Sequence, residues 1–266
     1  MRKTILLLVT AIATSCMAMG QATTKKDSSM QYDIHLSATA LFSGGNLKRT
    51  VAQNRLSGTL SKGHLQLVTE NSYRFGKNFT RVVENDFLTR NYFRVLLHKR
   101  FYGFLLAVYE DNYRRSIRSR WQWGAGGAIS CYAKGKDYVR FSLAGVYEKA
   151  AYKVSSYNLS EFNGNSEVDE TRVIARLGGQ HTLLDGHLVI KHDTWLMQGL
   201  KKNNNYRWHS LLGLQIPIHK GLAFKTDYEY TFENLTISSN NPFGYPSSKD
   251  DWVLSFGLSY DINKGK

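Results

Sequence analysis

From residue 250 to 262 every second side chain is large and apolar: Trp252, Leu254, Phe256, Leu258, Tyr260 and Ile262. Between them stand Val253, Ser255, Gly257, Ser259 and Asp261, which are small or polar. Successive side chains of a strand point to opposite faces, so a period of two predicts a β-strand with one greasy face and one polar face. The pattern recurs upstream. Leu222, Phe224, Tyr228, Tyr230 and Phe232 alternate with Lys225, Asp227, Glu229 and Glu233, and Leu65, Leu67, Tyr73 and Phe75 oppose Gln66, Glu70 and Arg74. Phe87, Phe93 and Val95 oppose Glu84, Asp86, Arg90 and Arg94, and Trp121 and Trp123 oppose Arg118, Arg120 and Gln122.

Continued along the chain, the pattern predicts twelve strands, over 32–42, 51–61, 64–75, 83–98, 102–111, 117–132, 138–151, 170–182, 187–198, 205–217, 221–234 and 250–262. Strands of soluble sheets peak at about 5–6 residues. Most of these are ten residues or longer, and a tilted strand crossing a bilayer needs about 9–11. The connections alternate as well. "SKG", "KRFYG", "AKGKD", "LLDGH" and "IHKGL" follow even-numbered strands, whereas the mostly longer and more polar "GGNLKRT", "GKNFTRVVE", "NYRRSIR", "SSYNLSEFNGNSEVDE", "GLKKNNN" and "ISSNNPFGYPSSK" follow odd ones. Short periplasmic turns, longer external loops and an even strand number describe an outer-membrane barrel. Trp121, Trp123, Tyr206, Trp208, Tyr230, Phe232 and Trp252 fall near the expected external rim, where an aromatic girdle belongs. The expected fold is all-β, a transmembrane antiparallel up-and-down β-barrel of about twelve strands. Its last strand closes against the first and leaves no free edge.

The N-terminus supplies an address. Arg2 and Lys3 precede an apolar run that ends in small residues around Ala18 and Gly20, the plan of a signal peptide over residues 1–20. Ala13-Thr14-Ser15 ahead of Cys16 offers lipoprotein processing as the rival. Residues 21–31 read as a short flexible segment, 32–262 as one barrel domain and 263–266 as a periplasmic tail. Export without residues 1–20 leaves 33 basic residues against 21 acidic ones, a net charge of +12, and Cys131 as the one cysteine, so the fold is expected to rely on its own core or on closure of a sheet rather than on an internal disulfide. The expected location is the bacterial outer membrane. Nucleic acid is no partner for an exported barrel. Lys48, Arg49, Lys77, Arg81, Arg114, Arg115, Lys201 and Lys202 fall on the external side, where they either pair with lipopolysaccharide phosphates or remain solvated loop charge.

Alternation sends a dense set of charges to the interior: Arg55, Glu70, Arg74, Glu84, Asp86, Arg90, Arg94, Arg120, Arg140, Glu148, Arg172, Arg176, Lys191, Asp193, Arg207, Lys225, Asp227, Glu229, Glu233 and Asp261. Buried charges must be paired or hydrated, so the lumen is either a wet conduit or a salt-bridged plug. Eight strands enclose a filled core and sixteen or more an aqueous pore, and twelve lie between. The leading expectation is a narrow channel for small polar solutes or ions. A lipid-modifying enzyme and a structural or adhesive barrel are the alternatives.

Catalytic chemistry finds little purchase. His192-Asp193 and His209-Ser210 are neighbours in sequence, but neighbours on a strand face opposite ways. An outward His192 is awkward in lipid, and a bulge near residue 193 that turned Trp195 and Met197 outward is one way round it. "GAGG" at 124–127 is strand glycine rather than a phosphate loop, no spacing of His, Cys, Asp and Glu suggests a metal, and no cofactor is implied.

"LFSGGNLKRTVAQNRLSG" (41–58), "WQWGAGGAIS" (121–130) and the final "LSFGLSYDI" resemble, in order and layout, the uncharacterised salt-induced, YdiY-like family of outer-membrane proteins. The resemblance implies a single Gram-negative outer-membrane barrel and brings no catalytic residues. The last strand also resembles the C-terminal insertion signal of such barrels, with Ser255, Gly257, Tyr260 and Ile262 in its polar, glycine, aromatic and hydrophobic places. That implies the barrel-assembly machinery as a partner.

Overall fold

The computed structural model describes residues 30–43, 49–78, 81–96, 100–201, 205–238 and 248–264. The expected signal peptide and Cys16 lie outside them. Twelve strands follow one another: β1 (Gln31–Ser43), β2 (Arg49–Lys62), β3 (Leu65–Asn78), β4 (Arg81–Leu96), β5 (Phe101–Asn112), β6 (Ile117–Lys134), β7 (Asp137–Tyr152), β8 (Glu167–Leu183), β9 (Leu188–Gly199), β10 (Tyr206–His219), β11 (Leu222–Glu233) and β12 (Asp250–Lys264). No end departs from its expected place by more than three residues. Each strand pairs antiparallel with its sequence neighbour, and β1 pairs with β12, so the sheet is a closed barrel. β12 carries the ladder on to Lys264, which takes residues 263 and 264 out of the expected tail.

The two faces separate as alternation requires. Leu105, Trp121, Trp208, Trp252, Leu258 and Tyr260 are exposed on the outer wall, while Ser37, Thr39, Lys225, Asp227, Ser255 and Ser259 are buried inside. An apolar belt this continuous is unsuited to water and suited to lipid. Aromatic pairs mark its rim at the long-loop end: Tyr109 with Trp121 (ring centroids 4.6 Å), Trp123 with Tyr147 (5.2 Å) and Tyr206 with Phe232 (5.5 Å).

Three details differ from the sequence expectation. Strands extend into the expected external loops: β3 ends at Asn78 and β4 begins at Arg81, and β5 and β6 are separated by residues 113–116 alone. Long connections therefore follow β7, β9 and β11, on one side of the barrel. A register shift between Ile117 and Ser119 admits Ile117 to the interior, fully buried, and leaves Arg118 exposed rather than inward. β9 runs without a bulge, and Met197 is 3 % exposed on the inner face. Pro217 sits where β10 slips register at its end, the place in a sheet where a missing N–H does least harm.

A barrel without edges opens only by breaking a whole seam of backbone hydrogen bonds. Unboiled protein in SDS should therefore run faster on a gel than boiled protein. Identical migration would contradict a closed barrel.

Candidate functional site

The interior is stratified along the barrel axis. At the long-loop end Glu148 of β7 and Glu233 of β11 each collect several cations. Arg207 Nη1 and Nη2 donate to the two oxygens of Glu148 (2.5 and 2.7 Å), and Arg172 Nη2 (3.1 Å) and Gln122 Nε2 (2.6 Å) donate to it as well. Glu233 accepts from Arg120 Nη2 and Arg115 Nη1, both at 2.6 Å, and Arg120 Nη1 donates to Glu110 at 2.8 Å. Arg120 lies on β6 and Glu233 on β11, far around the wall, so this pair braces the lumen from side to side. Two carboxylates embedded among four guanidiniums satisfy each other in a setting where isolated charge would be costly.

Above this layer two connections fold over the mouth. Tyr157 and Ile237 form an antiparallel bridge, flanked by Asn158 N to Thr236 O (3.0 Å) and Ser238 N to Ser156 O (3.1 Å). Tyr157, Phe162, Leu235 and Ile237 pack with Ile117 and Tyr152 into a buried apolar cap, and burial pushes the Tyr157 phenol above its ordinary pKa. Tyr152 joins cap to brace, its hydroxyl accepting from Arg120 at 3.1 Å.

The middle of the lumen carries looser pairs. Arg74 meets Glu229 (3.1 Å) and Glu84 (3.8 Å), and Arg55 stands 3.7 Å from both Asp227 and Glu229. Lys225 meets Asp227 (2.9 Å), Arg90 meets Glu70 (3.8 Å) and Arg176 meets Asp193 (2.6 Å). Asp86 accepts from the backbone N–H of Tyr113 at 2.8 Å. Toward the short turns Arg94 donates to Gln66 (3.0 Å), Arg140 lies 4.2 Å over the Tyr138 ring, and, across the bore from these, His35 bonds Asp261.

A cavity of about 490 Å³ runs through these layers. Its lining reaches from Arg114 and Asp251 at the long-loop end to Tyr102, Tyr138 and Gln180 beside the short turns. Arg55, Glu70, Arg74, Asp86, Arg90, Arg94, Arg120, Arg140, Arg176, Lys191, Arg207, Lys225, Asp227 and Glu229 all line it. Glu84 and Arg172 are fully buried behind it, held by Arg74 and Glu148. Among the inward residues that the sequence reading does not name as interior are Glu110, Glu170, Trp195 and His209. Glu110, with Val108, Leu106 and Phe104, belongs to a wall whose inner face is apolar, so polarity alone misassigns it. Glu170 shares the parity of Arg172 and was legible on that ground. Trp195 and His209 stack inside the lumen with ring centroids 5.3 Å apart.

Among the cations expected to face outward, Arg115 instead turns in to Glu233, and Arg114 bonds Asp251. Lys77 and Arg81 are exposed. Lys201 is held by Asp169 at 2.9 Å, and that hydrogen bond raises its pKa. Lys48, Lys202 and the Arg49 side chain lie outside what the structure describes.

Neither histidine pair forms a dyad. Asp193 bonds Arg176 inside, whereas His192 packs on the other face against His181, rings stacked at 5.4 Å. His209 Nδ1 lies 3.2 Å from Thr231, and Ser210 pairs with Thr194 on the opposite face. Among the described residues no group of three or more His, Cys, Asp or Glu is placed to hold a metal ion. Gly124 and Gly126 lie within β6, as strand glycines.

Residues 24–262 match one family model, described as a protein of unknown function, DUF481. No curated protein matches the chain in sequence. Among solved structures it is similar to the NanC porin, at 10% identity and a TM-score of 0.53, over 87% of this chain and 100% of that one. It is less similar to the COG4313 outer-membrane channel from Pseudomonas putida F1, at 12% identity and a TM-score of 0.43, over 91% of this chain and all of the other. At such identities the first likeness speaks for the fold alone, and the second is too weak to carry an argument.

Proposed function

The chain belongs to the DUF481 family, and we propose that it is a bacterial outer-membrane barrel whose lumen is a narrow, weakly anion-preferring channel for small polar solutes or ions. The observation that carries this reading is the cavity lined from the long-loop end to the short turns by charged side chains. Its bore is narrowed by the Arg120–Glu233 brace, because ions held by partners do not swing aside freely. Arg114 and Asp251 line the cavity at the long-loop end, outside the apolar cap.

Export by residues 1–20, lipopolysaccharide contacts through Lys77 and Arg81, and recognition of the last strand by the barrel-assembly machinery complete the proposal. So does the salt-induced designation, whose test is whether expression rises with external salt. The reading assigns no catalysis, and a lipid-modifying enzyme is disfavoured by the split His192/Asp193 and His209/Ser210 pairs.

Purified protein in planar bilayers should give small unitary currents, larger in Arg120→Ala, which opens the brace while Arg115 and Arg207 still neutralise Glu233. In a salt gradient the reversal potential should show mild anion preference that fades as salt screens the lining. Silent bilayers from both barrels, each shown folded by gel mobility, would retire the channel and favour a capped structural barrel.

A further inference from the structure

The lumen is asymmetric in a way that charge balance alone does not explain. Arg55, Arg74, Arg90, Arg115, Arg120, Arg172, Arg176 and Arg207 each have a carboxylate within 4.0 Å. Arg94 and Arg140 line the same cavity, yet among the described residues neither has a carboxylate partner. Arg94 spends one donor on Gln66 and otherwise sits against the rings of Tyr92 (5.6 Å) and Tyr102 (5.4 Å). Arg140 rests on Tyr138. Arg176 reaches the same group from the other side, its guanidinium 5.6 Å from the Tyr92 ring and its Nη1 donating to the Tyr92 hydroxyl at 2.6 Å. A guanidinium has five N–H donors in a planar fork that matches a carboxylate. Most of those on Arg94 and Arg140 are uncommitted and border open space.

The wall beside them is apolar. Phe104, Leu106, Ala144 and Val146 are buried on the inner face of β5 and β7, with Tyr92 and Tyr102 packed against them. The Phe104 ring lies over Gly126 of β6, where a side chain would have no room. The interior of a water-filled barrel is otherwise polar, and an apolar wall next to uncommitted arginines is the mixed lining of a small-molecule site.

We propose that the short-turn half of the lumen is a binding subsite for small carboxylates that carry an aromatic or aliphatic body. Arg94 and Arg140 take the carboxylate, and the Tyr92–Phe104–Ala144 wall, which lines the cavity, takes the body. A bare inorganic anion leaves the wall wet, and a neutral ring leaves the arginines without a counter-charge. Only the combination uses both, through charge-assisted hydrogen bonds and ring packing together. The inference deepens the channel reading by naming the class of solute it favours.

The test is calorimetric titration of the folded full-length barrel in detergent with sodium benzoate, sodium acetate and benzyl alcohol, each corrected by a titration into empty micelles. Benzoate should bind saturably, and acetate and benzyl alcohol about tenfold more weakly or worse, each lacking one of the two contacts. Arg94→Gln/Arg140→Gln should weaken benzoate by at least about tenfold, since charged hydrogen bonds are the stronger kind. Lys201→Gln, on the outer rim, should bind as wild type does. In bilayers benzoate should reduce the chloride current, more strongly from the short-turn side. Equal binding of benzoate and acetate, or unchanged benzoate binding in a folded double variant, would overturn the proposal. The two readings fail separately: benzoate binding to an electrically silent barrel keeps the subsite and removes the channel, and current without benzoate binding does the reverse.

Discussion

Replacing Glu148 with alanine should destabilise the barrel by about 3–5 kcal/mol, the usual cost of removing one partner from a buried ionic cluster. Glu148 is fully buried and accepts both terminal nitrogens of Arg207, one of Arg172 and the amide of Gln122. Without it Arg172, itself fully buried, keeps among the described residues only the backbone carbonyl of Asn205 at 3.0 Å. An uncompensated guanidinium then stands in a low-dielectric wall. Replacing Glu148 and Arg172 together by methionine should recover much of the loss, because an apolar pair of similar volume carries no desolvation penalty. Lys149→Ala is the contrast: its bond to Glu167 joins two side chains more than half exposed, and solvent screening leaves such a pair with little effect on stability. The measurement is the temperature at which the fast-migrating form converts to the slow one. Conversion of Glu148→Ala at the wild-type temperature would show that the cluster is dispensable.

Much of this architecture is written in the chain locally. A strand's alternation depends only on its own residues, and each hairpin fixes the register of two neighbours, so twelve strands and their faces follow from the period of two. Lys225, Asp227 and Glu229 point inward because Phe224, Tyr228 and Tyr230 point out. What local pattern cannot carry is who meets whom across the bore. Arg120 and Glu233 are 113 residues apart and on strands that never pair. Their contact depends on barrel circumference and stagger, which no hairpin encodes. The same limit explains Arg115, read as a loop cation, and the apolar wall of β5 to β7, where both faces are hydrophobic and polarity no longer marks the inside. Loop lengths were overread for a further reason. Residues such as Lys77 and Arg81 look like loop, yet at the ends of β3 and β4 they complete the ladder with their polar side chains in solvent.

Gly257→Leu should abolish the barrel both in cells and in refolding from denaturant, whereas Tyr260→Asp/Ile262→Asp should fail only in cells. Gly257 faces the lumen at the seam between β12 and β1, opposite Thr39. A Cβ there would stand 2.6 Å from Thr39 Cα and press on the Ala38 carbonyl, both of them backbone that cannot rotate aside. The side chain can be housed only by parting the seam, and parted strands leave a row of unpaired N–H and C=O groups, each costing several kcal/mol in lipid. Tyr260 and Ile262 present a different case. They are 45 % and 40 % exposed on the outer wall, near the end of the strand, where an acidic side chain costs the finished barrel little. Their substitution leaves the closing ladder intact and alters only the outward pattern that the assembly machinery is proposed to read. In vitro folding into detergent micelles bypasses that machinery, so gel mobility after refolding and the amount recovered from the outer membrane report the two effects independently. Refolded Gly257→Leu with wild-type mobility would disprove the tight seam. Wild-type recovery of the double aspartate variant from cells would disprove the insertion signal.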